Sequence, residues 1–258
     1  DQSGSMNDQF GGAGGRRKAD SVSDAINRLL QNLVIKCSKG EGVRNYYDIG
    51  VIGYGSFAGV AFSGALSGRK LVPVGEVANA PARVEPRTKK VDDGLGGLAD
   101  QEVKFPVWFD AVAEGGTAMA EAFRLAHQLL QDWTGQHQTS FPPIVINITD
   151  GEANEDPSPA AQALTSLSTN DGNVLLFNCH ISDKQASPIV FPDNASALPD
   201  EFARSLYNIS SPLPEGVRNA ANAEGFSVSP QSRGFAFNAD LVELIRFLDI
   251  GTRPSNMR

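Results

Sequence analysis

The chain has 258 residues, with 30 acidic against 22 basic side chains, a formal net charge of −8 and a sequence pI near 4.9. A surface this acidic repels nucleic acid and anionic lipid, which argues against both as partners and suits cations or basic groups. The length supports one substantial core, and no apolar run approaches the ~18 residues that would span a bilayer.

In chain order, the first predicted element is a helix over 18 to 38, where Val22, Ala25, Ile26, Leu29, Leu30, Leu33, Val34 and Cys37 recur at helical spacing. "YDIGVIGYGS" at 47 to 56 is short, rich in Ile, Val and Tyr, and stopped by glycine, the form of a buried strand. "GVAFSG" at 59 to 64 is its expected hairpin partner. Residues 64 to 106 carry many Gly, Pro and nearly balanced charges without long periodicity. They read as an insertion on one face with a function or a small structure of its own.

"EGGTAMAEAFRLAHQLLQDW" then predicts a second amphipathic helix, entered by a sharp turn at two glycines. "PPIVINITDGE" at 142 to 152 is a continuous apolar run ending in Thr-Asp-Gly, the form of a central parallel strand. "SPAAQALTSLS" predicts a helix and "GNVLLFNCHIS" another buried strand. "LPDEFARSLYNI" and "LPEGVRNAANAEG" predict short helices with Pro in or beside the first turn. "RGFAFN" closes the strands, and "ADLVELIRFLDIG", at 239 to 251, is a last helix. This alternation predicts an α/β fold with a Rossmann-like, doubly wound, mainly parallel sheet and helices on both faces. In such sheets ligands bind at the carboxyl ends of the strands.

Three stretches with suitable chemistry fall at strand ends or in a loop entering a helix. Together they offer Asp1, Ser3, Ser5, Thr117 and Asp150. All five are hard oxygen donors, with no thiolate or imidazole among them. That set suits Mg²⁺, with Mn²⁺ or Ca²⁺ also possible, and disfavours Zn²⁺ and Cu²⁺. Two carboxylates and three hydroxyls do not fill a tight Ca²⁺ cage, but they can hold an octahedral ion with water at the remaining positions. Such an ion stays open to an external carboxylate.

"DQSGSM", "GGTAM" and "ITDGE", in this order and separation, resemble the von Willebrand factor A family, whose D-x-S-x-S, threonine and aspartate motifs form a metal-ion-dependent adhesion site. The strand–helix order also resembles the family over nearly the whole chain, and the tail resembles its bacterial members. The resemblance implies that Ser3, Ser5 and Thr117 give hydroxyl oxygens to the metal. It implies that Asp1 and Asp150 bind directly or through water, and that an acidic side chain of a partner protein takes the open position. It further implies a single domain over residues 1 to 258, with a central strand upstream of Asp1. It places the chain beside bacterial cytoplasmic A-domain proteins associated with kinases and phosphatases in stress-response systems. In some relatives the last helix shifts when the metal gains a ligand.

The remaining features read more simply. Glu152, Asn154, Glu155 and Asp156 form a solvated rim, one member of which can reach the metal through water. "FGGAGGRRKAD" at 10 to 20 fails the spacing of a phosphate-binding loop and reads either as a solvated loop or as a flexible loop near the metal that can touch a partner, with Arg16, Arg17 and Lys18 as its basic element. His127, His137 and His180 are dispersed, and no base–nucleophile pair or D-x-D is present, so no enzyme activity is expected. A Mg²⁺-dependent hydrolase or phosphatase, or a scaffold with a vestigial site, are the competing readings. Cys37 and Cys179 read as buried, reduced thiols, which points to the cytoplasm. The N-x-S/T triplets at Asn147, Asn194 and Asn208 read as chance, the first lying in a predicted buried strand.

Overall fold

A computed structural model describes residues 1–9, 15–92, 97–182, 187–238 and 246–247. The chain divides into two compact units. One comprises Asp1–Ala25, Ile52–Gly59 and Ala111–Arg258; the other comprises Ile26–Val51 and Val60–Asp110. Among the described residues no helix is long and apolar enough to cross a membrane.

In the first unit the strands include β1 (Ile52–Tyr54), β2 (Ala58–Val60, its last residue in the second unit), β3 (Ile144–Thr149), β4 (Leu175–His180), β5 (Ile189–Val190) and β6 (Phe235–Phe237). Helix α1 (Lys18–Cys37) begins in this unit. Its other helices are α2 (Met119–Gln136), α3 (Ser158–Ser166), α4 (Glu201–Ile209) and α5 (Glu215–Ala223). The main sheet has four strands in the order β5-β6-β4-β3. β4 runs parallel to both β3 and β6, in a register that sets Asn178 opposite Asn147 and His180 opposite Thr149. β5 closes one edge antiparallel to β6.

β4 is buried almost throughout, and its side chains alternate between two faces with the period of a strand. Leu176 joins a core with Met119, Phe123, Leu164, Leu206, Phe235 and Phe237, contributed by α2, α3, α4 and β6. Phe177 points to the opposite face and meets Phe247 edge-on, 6.1 Å between centroids. Asn178, on the Leu176 face, would be costly there without partners. It donates to Ser210 Oγ at 2.9 Å and accepts from Asn147 Nδ2 at 2.9 Å. Asn147 Oδ1 accepts in turn from the Tyr54 hydroxyl at 2.5 Å. A fully bonded polar line therefore crosses the buried sheet from β1 to α4. Cys179 is fully buried as a free thiol, and burial pushes its pKa up to about 12.

The expectation of a doubly wound, mainly parallel Rossmann-like sheet is overturned. Among the described residues three strands are mutually parallel, and the other pairings are antiparallel. The stretch at 47 to 56 explains part of the difference. It breaks at Gly50, where a Cβ would stand 2.8 Å from the Lys70 carbonyl oxygen. Instead of one buried strand it yields Asp48–Ile49, paired antiparallel with Val72–Pro73, and β1, paired with β2. The rest comes from residues 64 to 106, which all lie in the second unit. There Arg83–Asp92 and Leu98–Val107 form a ten-residue antiparallel ribbon, in register from Arg83↔Val107 to Asp92↔Leu98. Its strands are polar at most positions and bury Phe105 and Val107 at one end, so the apolar runs of a parallel sheet are absent.

The core of that second unit gathers Leu30, Phe62, Leu66, Val72, Val77 and Trp108. Trp108 is 2% exposed and gives its indole N–H to the Val77 carbonyl at 2.7 Å, which satisfies the one polar atom of its ring. The helix expected over 239 to 251 lies outside the described residues except for Arg246 and Phe247, which are helical. Residues 10 to 14 of the glycine-rich loop also lie outside them.

Candidate metal centre

The site is built on the carboxyl end of β3. Asp150 follows the last strand residue, Thr149, and the segment Asp1–Gln2 lies between β3 and β1. The main-chain nitrogen of Asp1 donates to the Ile148 carbonyl at 2.9 Å, and that of Gln2 donates to the Tyr54 carbonyl at 2.7 Å. The Asp1 carboxylate then turns the chain. Its Oδ1 accepts from the Ser3 main-chain N–H at 2.7 Å, the local bond aspartate makes in tight turns, and its Oδ2 accepts from the Thr149 hydroxyl at 2.6 Å. A short 3₁₀ turn, Gly4–Asn7, follows and is anchored by the fully buried Met6.

This turn presents both serines to Asp150. Ser3 Oγ lies 3.0 Å from Ser5 Oγ, and Ser5 Oγ donates to Asp150 Oδ1 at 2.7 Å. Ser3 is buried and Ser5 exposed, so the cluster opens to solvent on the Ser5 side. Thr117 reaches the same rim through the backbone: Gly4 N–H donates to the Gly115 carbonyl at 2.9 Å, two residues before Thr117. Gly115 has φ +81°, and a Cβ there would stand 2.1 Å from Ser56 Oγ, so this turn requires glycine. The structure thus links Asp1, Ser3, Ser5 and Asp150 by hydrogen bonds, while Thr117 is tied in by main-chain bonds and is buried.

Three residues have roles that the sequence did not assign them. Thr149 fixes the Asp1 carboxylate. Asn154 clamps Thr117 from both sides, its Oδ1 accepting from Thr117 N–H at 2.9 Å and its own N–H donating to the Thr117 carbonyl at 3.0 Å. The third is Lys18, read from the sequence as part of a solvated basic loop. Arg16 and Arg17 are exposed as expected, but the Lys18 side chain is only 4% exposed. Its ammonium donates to Asp150 Oδ2 at 2.9 Å, and the Asp150 side chain is fully buried. One signal was present: Lys18 stands four residues before Val22 and seven before Ala25, on the buried stripe of α1. In the acidic rim, Glu155 pairs with Arg124, and the Ser158 hydroxyl, with the Ser158 N–H that donates to Asp156 at 2.9 Å, holds the Asp156 carboxyl below the usual range. Both serve local structure.

The donor set fits a small hard cation. Adjacent ligands of an octahedral ion with metal–oxygen bonds of ~2.1 Å lie ~3.0 Å apart. The separations along Ser3 Oγ, Ser5 Oγ and Asp150 Oδ1 are 3.0 and 2.7 Å, hydrogen-bond lengths that an ion of this size could replace without large movement of the donors. Among the described residues no three His, Cys, Asp or Glu side chains group together, so the cluster depends on hydroxyl donors. Hydroxyls beside few carboxylates are what an ion that keeps several waters accepts. No protein-family model, curated protein or solved structure matches the chain.

Proposed function

We propose that the chain is a metal-dependent protein-interaction module. It holds Mg²⁺ through Ser3, Ser5, Thr117, Asp1 and Asp150 and binds an acidic group of a partner protein at the ion's open position. The observation that carries this reading is the convergence of stretches 145 residues apart in sequence, at Ser5 and Asp150, into one hydroxyl–carboxylate cluster. The ion supplies positive charge at a solvent-facing position and a vacant orbital for an oxygen ligand. The chain's own residues fix the donor positions: Thr149 orients Asp1, and Asn154 orients the Thr117 backbone.

A binding module of this kind needs no general base. His137 is stacked on Trp133 at 4.4 Å, with its Nδ1 against the Trp133 carbonyl, away from such a role. Calorimetric titration with MgCl₂ and MnCl₂, followed by acetate, separates the readings. The expected result is acetate binding only in the presence of metal, with Ser5→Ala weakening the metal by at least ~10-fold, the loss typical of groups even one shell further out. Incubation with p-nitrophenyl phosphate and Mg²⁺ should give no turnover. Steady turnover that Ser5→Ala and Asp150→Asn abolish would replace the module with a hydrolase.

A further inference from the structure

The Lys18 ammonium cannot itself hold a metal, and its buried pairing with Asp150 is costly to keep. Two desolvated charges are repaid only by close geometry, and a well-packed apolar pair often does as well. The sheet does not need it either, because the buried polar line through Tyr54, Asn147 and Asn178 is satisfied without it. What the ammonium changes is the charge of the site. Asp1 and Asp150 contribute two negative charges and Lys18 one positive, leaving minus one. Asp8, 3.9 Å from the ammonium, is 64% exposed and screened by water. With a divalent ion the site then carries plus one. Without Lys18 the same ion would be neutralised by the two aspartates alone.

We infer that Lys18 is a specificity-determining countercation: by cancelling one carboxylate, it leaves the metal-loaded site with one positive charge in excess, so that ion and partner carboxylate bind cooperatively. This inference rests on the metal-dependent reading above and names the regulation of that site. Two consequences follow from charge alone. The ion by itself binds weakly, because a fixed ammonium on Asp150 Oδ2 repels it and competes for the same oxygen. The ion together with a carboxylate binds well, because the ternary site is neutral. The site is thereby selective for anionic ligands over neutral oxygen donors such as amides. It also disfavours filling with metal when no partner is present.

The test uses Mg²⁺ and Mn²⁺ affinities of the wild type, Lys18→Met and Lys18→Arg, each measured with and without acetate by calorimetry, with circular dichroism to confirm folding. Lys18→Met should bind Mg²⁺ at least ~10-fold more tightly than wild type, because a like charge within a few ångströms of the ion is gone. In that variant acetate should no longer raise metal affinity. Lys18→Arg, which keeps the charge, should stay close to wild type in both respects. If Lys18→Met does not fold, Lys18→Gln carries the same expectation. Equal or weaker metal binding in the neutral variants, or the same gain in Lys18→Arg, would overturn the inference while leaving the module reading intact. If the wild type binds neither ion with or without acetate, the metal reading itself falls and the inference with it.

Discussion

Replacing Asp150 with alanine should lower the stability of the metal-free protein by about 3–5 kcal/mol, the cost of leaving one member of a buried ion pair without its partner. The Asp150 side chain is fully buried and that of Lys18 is 4% exposed, so water cannot readily take the place of the carboxylate. Ser5 Oγ loses its acceptor as well, but Ser5 is exposed and finds solvent. The double variant Lys18→Met/Asp150→Leu should recover most of the loss, because no charge is then left buried. Coupling of this kind is expected for groups in direct contact. Urea unfolding in EDTA measures both. A loss below about 1 kcal/mol for Asp150→Ala would mean that the pair is solvated and that Lys18 does not neutralise the site.

Asn147→Ala should be destabilising by roughly 3 kcal/mol for a different reason. Asn147 is 4% exposed and links the Tyr54 hydroxyl to Asn178 Oδ1. Its removal strands a buried donor and a buried acceptor, each costing about 1–3 kcal/mol, and leaves a small cavity besides. Because Asn147 lies on β3, three residues before Asp150 at its carboxyl end, the change should also loosen the end of the strand. The expected pattern is a lowered thermal midpoint together with weakened Mg²⁺ binding. Unchanged stability would show that the polar line is dispensable, and that the position of Asp150 is set by the strand ladder alone.

What the sequence made legible follows from how local each signal is. Helix α1 lies where the apolar rhythm of 18 to 38 put it, and β3 ends at Thr149, where the apolar run gives way to Asp-Gly. These depend on residues close in sequence, and periodicity reports them. Pairing partners depend on residues far apart. Nothing between Tyr47 and Ser56 announces that Gly50 sits against the Lys70 carbonyl and splits the stretch into separate antiparallel pairs. The ribbon at 83 to 107 was hidden because its strands are mostly exposed and polar, with little alternation to detect. In the site, five oxygen donors could be picked out by type and motif. Lys18 could not, because a lysine is read as solvated unless its place on a buried helical stripe is weighed against its charge. Asn147 likewise looked like a chance glycosylation triplet, although its burial in β3 was the better clue.

Binding of a divalent cation by this cluster in the folded state should be visible in thermal unfolding in EDTA and again in MgCl₂ at about ten times the dissociation constant, for wild type, Ser3→Ala and Asp150→Ala. Binding to the native state alone should stabilise the wild type by about 1.4 kcal/mol under those conditions, a rise of some ~3–6 °C. Neither variant should respond. A midpoint that is the same in EDTA and Mg²⁺ for all three proteins, with Mn²⁺ also silent, would contradict the account.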